Sequence, residues 1–198
     1  GHIKRTAKYL EILIYEMAES AMYSDILTKE YINNVIRSAS LHDIGKIGID
    51  PSLIEKNGKL SELEYQMVKL HPYYTDQFLK ELHDSEWFKD IIDWASNHHE
   101  NCIGTGYPHS LEGSEVHEGT KILAFSDVIT ALLEDRPYRK GMNIDLAFEV
   151  IKKEIAPKIS LTMFEVIEQH KEVIQKTILK CKLYSSEDFK KAMSPFQH

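Results

Sequence analysis

Apolar residues spaced three and four apart recur along most of this chain, and side chains able to bind metal interrupt them at positions that should be buried. That combination constrains the fold more than any other feature. Ile3, Ala7, Leu10, Ile14, Ala18 and Ala21 form the first stripe, predicting an amphipathic helix from about Ile3 to Tyr23. Thr28 is a predicted N-cap for a second helix, whose stripe is Ile32, Val35, Ile36 and Ala39. His42 continues that stripe, about three turns after Ile32, so its imidazole should face the core. Asp43 follows it directly. Gly45 and Gly48 then loosen the backbone, and Pro51 ends any helix before it.

Ser61 with Glu64 has the spacing of a capping box, predicting a helix from about Glu62 to Leu70. His71-Pro72 interrupts it, and Pro72 suits the first turn of another helix ending near Leu82. Ile91, Trp94, Ala95 and His98 share one face of the next helix, with His99 one turn after Ala95. From Glu100 to Glu118 there are four Gly or Pro residues (Gly104, Gly106, Pro108, Gly113) and no sustained period. A loop of that length in a compact domain is often functional. A helix from about Thr120 to Leu133 carries Leu123, Ala124, Asp127 and Ala131 along one side, which sets a carboxylate on a largely apolar face. Glu134 to Gly141 read as a polar loop containing Arg136-Pro137-Tyr138-Arg139. Asn143 should cap a helix from about Ile144 to Glu154, and Pro157 should break it. Thr162 with Glu165 should open a helix from about Met163 to Lys182, and Ser186 should cap a short last one. No strict alternation lasts long enough for a strand. The expected fold is all-α: a single helical bundle domain over residues 1–198 with one long Gly/Pro-containing loop.

Composition enters mainly as exclusion. A length of 198 residues suits one domain with a substantial core. The formal net charge of −7 argues against a generic binder of duplex nucleic acid. No apolar run approaches the ~20 residues that span a bilayer, so no membrane contact is expected. Cys102 and Cys181 make no disulfide framework, which points to a reducing, cytoplasmic setting. The start at Gly1-His2, without a methionine, is expected of a fragment of a longer protein.

Taken singly, each metal-binding side chain has an ordinary explanation. A buried histidine is usually a hydrogen-bonded core residue, and a lone aspartate usually caps or pairs. Taken together, His42, Asp43, His98, His99 and Asp127 on apolar faces would cost several kcal/mol if left without partners, at roughly 1–3 kcal/mol each. Metal coordination satisfies them jointly. Nitrogen and oxygen ligands without thiolates fit iron, manganese, zinc or nickel better than a structural zinc–cysteine site, and Cys102 reads as a loop residue. In such an arrangement Asp43 bridges two ions. His71, His98 and His99 hold one, and His42 and Asp127 hold the other. His2 completes the set from the first helix, unless the opening Gly-His is a cloning remnant. Two cations roughly 3.5–4 Å apart clamp a phosphate and lower the pKa of a bound water, whose hydroxide attacks phosphorus in line. Lys46, Arg136 and Arg139 can neutralise further phosphate oxygens, although any one of them alone would read as solvated surface charge.

The ordered motifs His42-Asp43-Ile44-Gly45-Lys46, His71-Pro72, His98-His99-Glu100, Gly106-Tyr107-Pro108, Asp127 and Arg136-Pro137-Tyr138-Arg139 resemble the HD-GYP subgroup of HD-superfamily phosphohydrolases. The resemblance runs from His2 to about Ile151; the last helices, from about Pro157 to His198, carry no motif. It implies an all-helical, metal-dependent phosphodiesterase that hydrolyses cyclic di-GMP to pGpG or GMP, using two or three divalent ions, iron or manganese. By resemblance His2, His42, Asp43, His71, His98, His99 and Asp127 are ligands. Asp43 and Lys46 are catalytic, and Lys46, Tyr107, Arg136 and Arg139 contact substrate. It also implies docking of GGDEF-domain proteins through the Gly-Tyr-Pro loop, and a sensory or receiver domain ahead of this one. Four positions depart from the family pattern. Ile103 stands for the usual aspartate before the first loop glycine, Ser110 for a glycine, His117 for a proline, and Thr130 for a second aspartate on the helix of Asp127. A glutamate usual four residues before His2 lies outside the chain. Thr130 and that glutamate bear on a third ion; Ile103 and His117 bear on loop conformation, substrate preference and docking. Two other readings fit the residues: a non-catalytic module that binds cyclic dinucleotide or a GGDEF partner, and a phosphodiesterase for another cyclic dinucleotide such as cyclic GMP-AMP.

Overall fold

The computed structural model describes residues 2–82, 85–135 and 140–179. Its helices are α1 (His2–Ala18), α2 (Lys29–Leu41), α3 (Pro51–Ile54), α4 (Glu62–Val68), α5 (His71–Leu82), α6 (Lys89–Ser96), α7 (Glu118–Leu133), α8 (Ile144–Val150), α9 (Ala156–Ile159) and α10 (Leu161–Gln169), followed by a helix over 171–179. The described residues contain no strand; Ile103 and Glu112 make one isolated bridge across the long loop. The protein is all-α. No helix among the described residues is long and apolar enough to cross a membrane.

Several helix starts are set by the expected caps. Thr28 accepts the Tyr31 N–H, Ser61 and Glu64 exchange both bonds of a capping box, and Asn143 accepts the Leu146 N–H. α7 sits at the centre of the core. Ile122, Leu123, Phe125 and Ile129 are buried to within 1%. α1 and α2 pack along it, α6 crosses it, and Phe148 of α8 and Phe164 of α10 cover it from the C-terminal side. Each fully buried aromatic of this kind contributes roughly 1.5–3 kcal/mol. Gly119 lets α7 touch α6: a Cβ there would lie 2.4 Å from the Trp94 ring. A smaller cluster of Leu79, Phe88, Ile91, Ile92 and Ala95 joins α5 to α6.

The N- and C-terminal helices depart from expectation. α1 ends at Ala18 rather than Tyr23, and Ile3 and Ala21 of the expected stripe are exposed. The buried set is Thr6, Tyr9, Leu10, Ile12, Leu13, Ile14 and Met17, because α1 is covered by α2, α7 and α10 and so buries more than one stripe. Pro157 does not break its helix. A π-turn over Ile151–Ile155 precedes it, and a wider turn relieves the clash between a proline ring and the carbonyl four residues back. The break comes at Ser160, whose extended backbone and hydroxyl, accepting the Met163 N–H, cap α10. Thr162 is therefore inside the helix, not its cap. α10 stops at Gln169, and after a turn at His170 the chain is helical again over 171–179; the expected end at Lys182 lies outside the described residues. Cys181 and Ser186 lie outside the described residues.

Candidate metal centre

Seven of the proposed ligands converge, and most of them come from helix ends. His42 ends α2, His71 begins α5, His98 and His99 follow α6, and His2 begins α1, whereas Asp127 comes from the middle of α7. The turn carrying Asp43 is clamped to α5 by Thr75, a fully buried residue. Its Oγ1 donates to the His42 carbonyl (3.0 Å) and accepts the Gly45 N–H (3.0 Å). Gly45 allows that contact, since a Cβ there would lie 1.9 Å from the His71 carbonyl oxygen.

Three imidazoles are oriented by the same device. Nδ1 of His42, His71 and His98 lies 2.8, 2.8 and 2.7 Å from the carbonyls of Ala39, Val68 and Ala95, each three residues back. A carbonyl only accepts, so Nδ1 carries the proton, and in the neutral ring Nε2 presents a lone pair. Those lone pairs point inward. His71 Nε2 and His98 Nε2 are 3.4 Å apart, and His42 Nε2 is buried with no hydrogen-bond partner. Facing lone pairs repel, and an orphaned buried nitrogen is costly; a cation removes both penalties. Asp43 reaches both sides of the centre. Its Oδ1 is 3.5 Å from His71 Nε2 and its Oδ2 is 3.6 Å from His42 Nε2. Three ligand triads result among the described residues, His71–His98–His99, His2–His42–Asp127 and, between them, His42–Asp43–His98, each with ligand atoms within 4.8 Å of one another.

The electrostatics keep His71, His98, His99, Asp43 and Asp127 in their ligand forms, whereas the carboxylates beside His2 and His42 favour protonation of those two rings. Burial, reinforced by the neighbouring imidazoles, holds His98 well below its usual range and takes His99 down to about 3; burial also lowers His71. For Asp127, burial opposes the charge but is outweighed by His2 and His42, leaving the carboxyl well below its usual range. Burial of Asp43 is likewise outweighed, by His42 and Lys46. The hydrogen bond to Asp127 raises His2, whereas His42 rises despite its burial because Asp127 and Asp43 face it. Neutral imidazoles and ionised carboxylates are the forms that bind cations. Lys46 Nζ lies 2.6 Å from Asp43 Oδ2, with its side chain 37% exposed. It lines a cavity of about 970 Å³ together with His2, Asp43, His99, Asp127 and Glu134.

The Gly-Tyr-Pro loop packs on the same cluster. Tyr107 stacks on His99 with ring centroids 4.6 Å apart, and the Lys69 ammonium lies 4.7 Å from the centroid of the Tyr107 ring. Gly106 is needed for contact, because a Cβ would meet the Glu100 backbone at 2.5 Å. Buried Glu100 fastens the loop from behind, accepting the N–H groups of His109, Ser110 and Leu111 at 2.5, 3.1 and 3.0 Å. Ser110, where the family pattern has glycine, takes φ 55. Ile103 is half exposed, and His117 pairs with Asp93 at 2.8 Å. The Thr130 hydroxyl bonds the Ser126 carbonyl within α7. Cys102 donates to the Ile159 carbonyl. Arg136 and Arg139 lie outside the described residues. Thr75, Glu134 and the role of Glu100 escaped the sequence reading. Their only signals were spacings of four, seven and one from His71, Asp127 and His99.

A sequence model of the HD domain family matches residues 2–159. The chain belongs to the HD domain family. This HD domain is 34% identical over 169 residues to 3'3'-cGAMP-specific phosphodiesterase 3 of Vibrio cholerae, covering 85% of the chain and 34% of that protein. It is 36% identical over 155 residues to a cyclic di-GMP phosphodiesterase of the same organism, covering 76% and 32%. The chain thus spans about a third of the length of these curated relatives. Its fold matches that of Bd1817, a HDG"Y"P protein from Bdellovibrio bacteriovorus, with a TM-score of 0.61 at 16% identity, covering 84% of this chain and 51% of that one.

Proposed function

We propose that this HD domain is a metal-dependent cyclic dinucleotide phosphodiesterase that hydrolyses cyclic di-GMP to pGpG or GMP. The observation that carries the reading is the inward-facing set of Nε2 atoms around the two oxygens of Asp43. His71, His98 and His99 would hold one divalent ion, and His42, Asp127 and His2 a second, with Asp43 lying between the two sets and available to both. The all-nitrogen-and-oxygen set suits iron or manganese. When bound, such ions polarise a phosphoryl oxygen and acidify water at neutral pH.

The remaining work falls to the chain itself. The Lys46 ammonium, at the cavity wall beside Asp43, binds a non-bridging phosphate oxygen. It is also a proton donor on the cavity wall that can serve the departing sugar oxygen. As water adds to phosphorus, the P–O bond to that sugar oxygen breaks, and one proton ends on the leaving group. Tyr107, with Arg136 and Arg139 by family resemblance, lines the nucleotide. The ionised Asp43 orients both ligand sets and holds Lys46.

The likeness to a 3'3'-cGAMP-specific enzyme supports a second substrate reading on the same chemistry. Both are tested by elemental analysis of anaerobically purified protein, coupled to product identification with cyclic di-GMP and 3'3'-cGAMP. Asp43→Ala should lose bound metal and abolish hydrolysis. Full turnover by that variant would refute the mechanism; saturable binding without product by the metal-loaded wild type would favour a non-catalytic module.

A further inference from the structure

His2 is held from two sides. Its Nε2 lies 2.9 Å from Asp127 Oδ1, and its Nδ1 lies 2.8 Å from Glu134 Oε2. Arg5 Nε donates to the other oxygen of Glu134. The Glu134 side chain is only 11% exposed, although it stands where a polar loop begins.

Helix geometry explains the arrangement. Glu134 follows Asp127 by seven residues, close to two full turns, so both carboxylates rise from one face of α7. Their backbone positions are roughly 10.5 Å apart along the axis. Side chains on a helix lean toward its N-terminus, and the longer glutamate leans back toward Asp127. The gap that remains is filled by one imidazole, delivered by the first turn of α1. α7 ends at this point: the Glu134 N–H still bonds the Thr130 carbonyl at 3.1 Å, but its ψ of 144 carries the chain out of the helix. The backbone departs while the side chain stays on the cavity wall. Arg5 lies one turn after His2 on α1 and holds the carboxylate from its solvent side, with its own side chain 51% exposed.

We propose that Glu134 is a positioning residue for the metal subsite of His2, His42 and Asp127. Its carboxylate accepts the His2 Nδ1–H and so presents His2 Nε2 to the ion. Arg5 anchors Glu134 in turn. A carboxylate behind a ligand histidine fixes the ring orientation and tautomer and raises the basicity of the ligating nitrogen. Asp127 cannot do this for His2, because it shares the ion-facing side of the ring. Backbone carbonyls orient His42, His71 and His98, whereas the acceptor that faces His2 Nδ1 is the Glu134 carboxylate.

This proposal rests on the metal-dependent reading above, and the test separates the two. Demetallated protein is titrated with Mn²⁺ by calorimetry. Glu134→Gln should weaken one Mn²⁺ site by about 10–100-fold and leave the other unchanged. Arg5→Ala, with Glu134 intact, should weaken the same site less. In a His2→Ala background, Glu134→Gln should cause no further loss, which a purely structural role would not predict. Wild-type affinity in Glu134→Gln, or an equal loss with and without His2, would overturn the proposal while leaving the metal-dependent reading in place. A wild-type protein that binds no Mn²⁺ would refute that reading itself, and this proposal with it.

Discussion

Replacing Thr75 by valine tests how the His-Asp turn is held. Valine keeps the branch and nearly the volume but removes the hydroxyl, whose oxygen both accepts the Gly45 N–H and donates to the His42 carbonyl. The site is fully buried, so no water replaces either bond. An orphaned buried donor costs about 1–3 kcal/mol, and loss of an ordinary hydrogen bond about 0.5–1.5 kcal/mol more. The expected destabilisation is therefore about 1.5–4.5 kcal/mol. With a urea slope of about 2 kcal/mol/M, the unfolding midpoint of the metal-free protein should fall by roughly 1–2 M. Thr75→Ser, which keeps the hydroxyl and loses one methyl, should fall by about half as much or less. Mn²⁺ affinity should drop in the valine variant as well, because His42 and Asp43 flank the released turn. A valine variant that unfolds at the wild-type urea concentration would refute the clamp. So would a serine variant as unstable as the valine one, since packing rather than the hydroxyl would then be the cause.

What could be read in advance divides by range. Caps at Thr28, Ser61 and Asn143 depend on residues two or three apart, and they formed as expected. His42 and His98 were readable as inward-facing because each extends an apolar stripe. Pro157 misled because a local rule was applied to a helix whose preceding turn is π rather than α. The face of α1 misled because Ala and Ile spacing selects a single stripe, whereas three helices cover α1. Convergence of the ligands is a tertiary fact that no spacing encodes; it was inferred from the joint cost of burying His42, Asp43, His98, His99 and Asp127 without partners, and then from resemblance. Thr75 and Glu134 were invisible for a related reason. Their spacings from His71 and Asp127 acquire meaning only once α5 meets the 44–48 turn and α1 lies along α7.

Two further perturbations follow. Glu100→Ala removes the acceptor for three loop N–H groups, and a hydrogen bond to a charged acceptor is worth about 1.5–3 kcal/mol. Amide exchange at His109, Ser110 and Leu111 should accelerate at least ~10-fold, the factor for 1.4 kcal/mol, and unchanged exchange would reject Glu100 as the fastener. The last prediction concerns pH. Between about pH 5 and 9, histidines are the side chains whose shifts matter. His71, His98 and His99 are lowered by burial, so the unfolded chain takes up protons near pH 6.5 that the folded one refuses; their contribution is lost as pH falls below that value. His2 and His42 are raised, so their contribution is complete below about pH 6.5 and is lost as pH climbs through their folded values. The metal-free protein should therefore be most stable near pH 6.5 and weaken on both sides. Saturating Mn²⁺ should steepen the acid limb, because protonation must then displace an ion as well as enter a buried ring. Urea midpoints measured across this range, with and without Mn²⁺, decide the matter. A metal-free stability that rises steadily to pH 9 would mean that His2 and His42 are not facing the carboxylates as described, and an acid limb indifferent to Mn²⁺ would mean that the buried imidazoles are not where the ion binds.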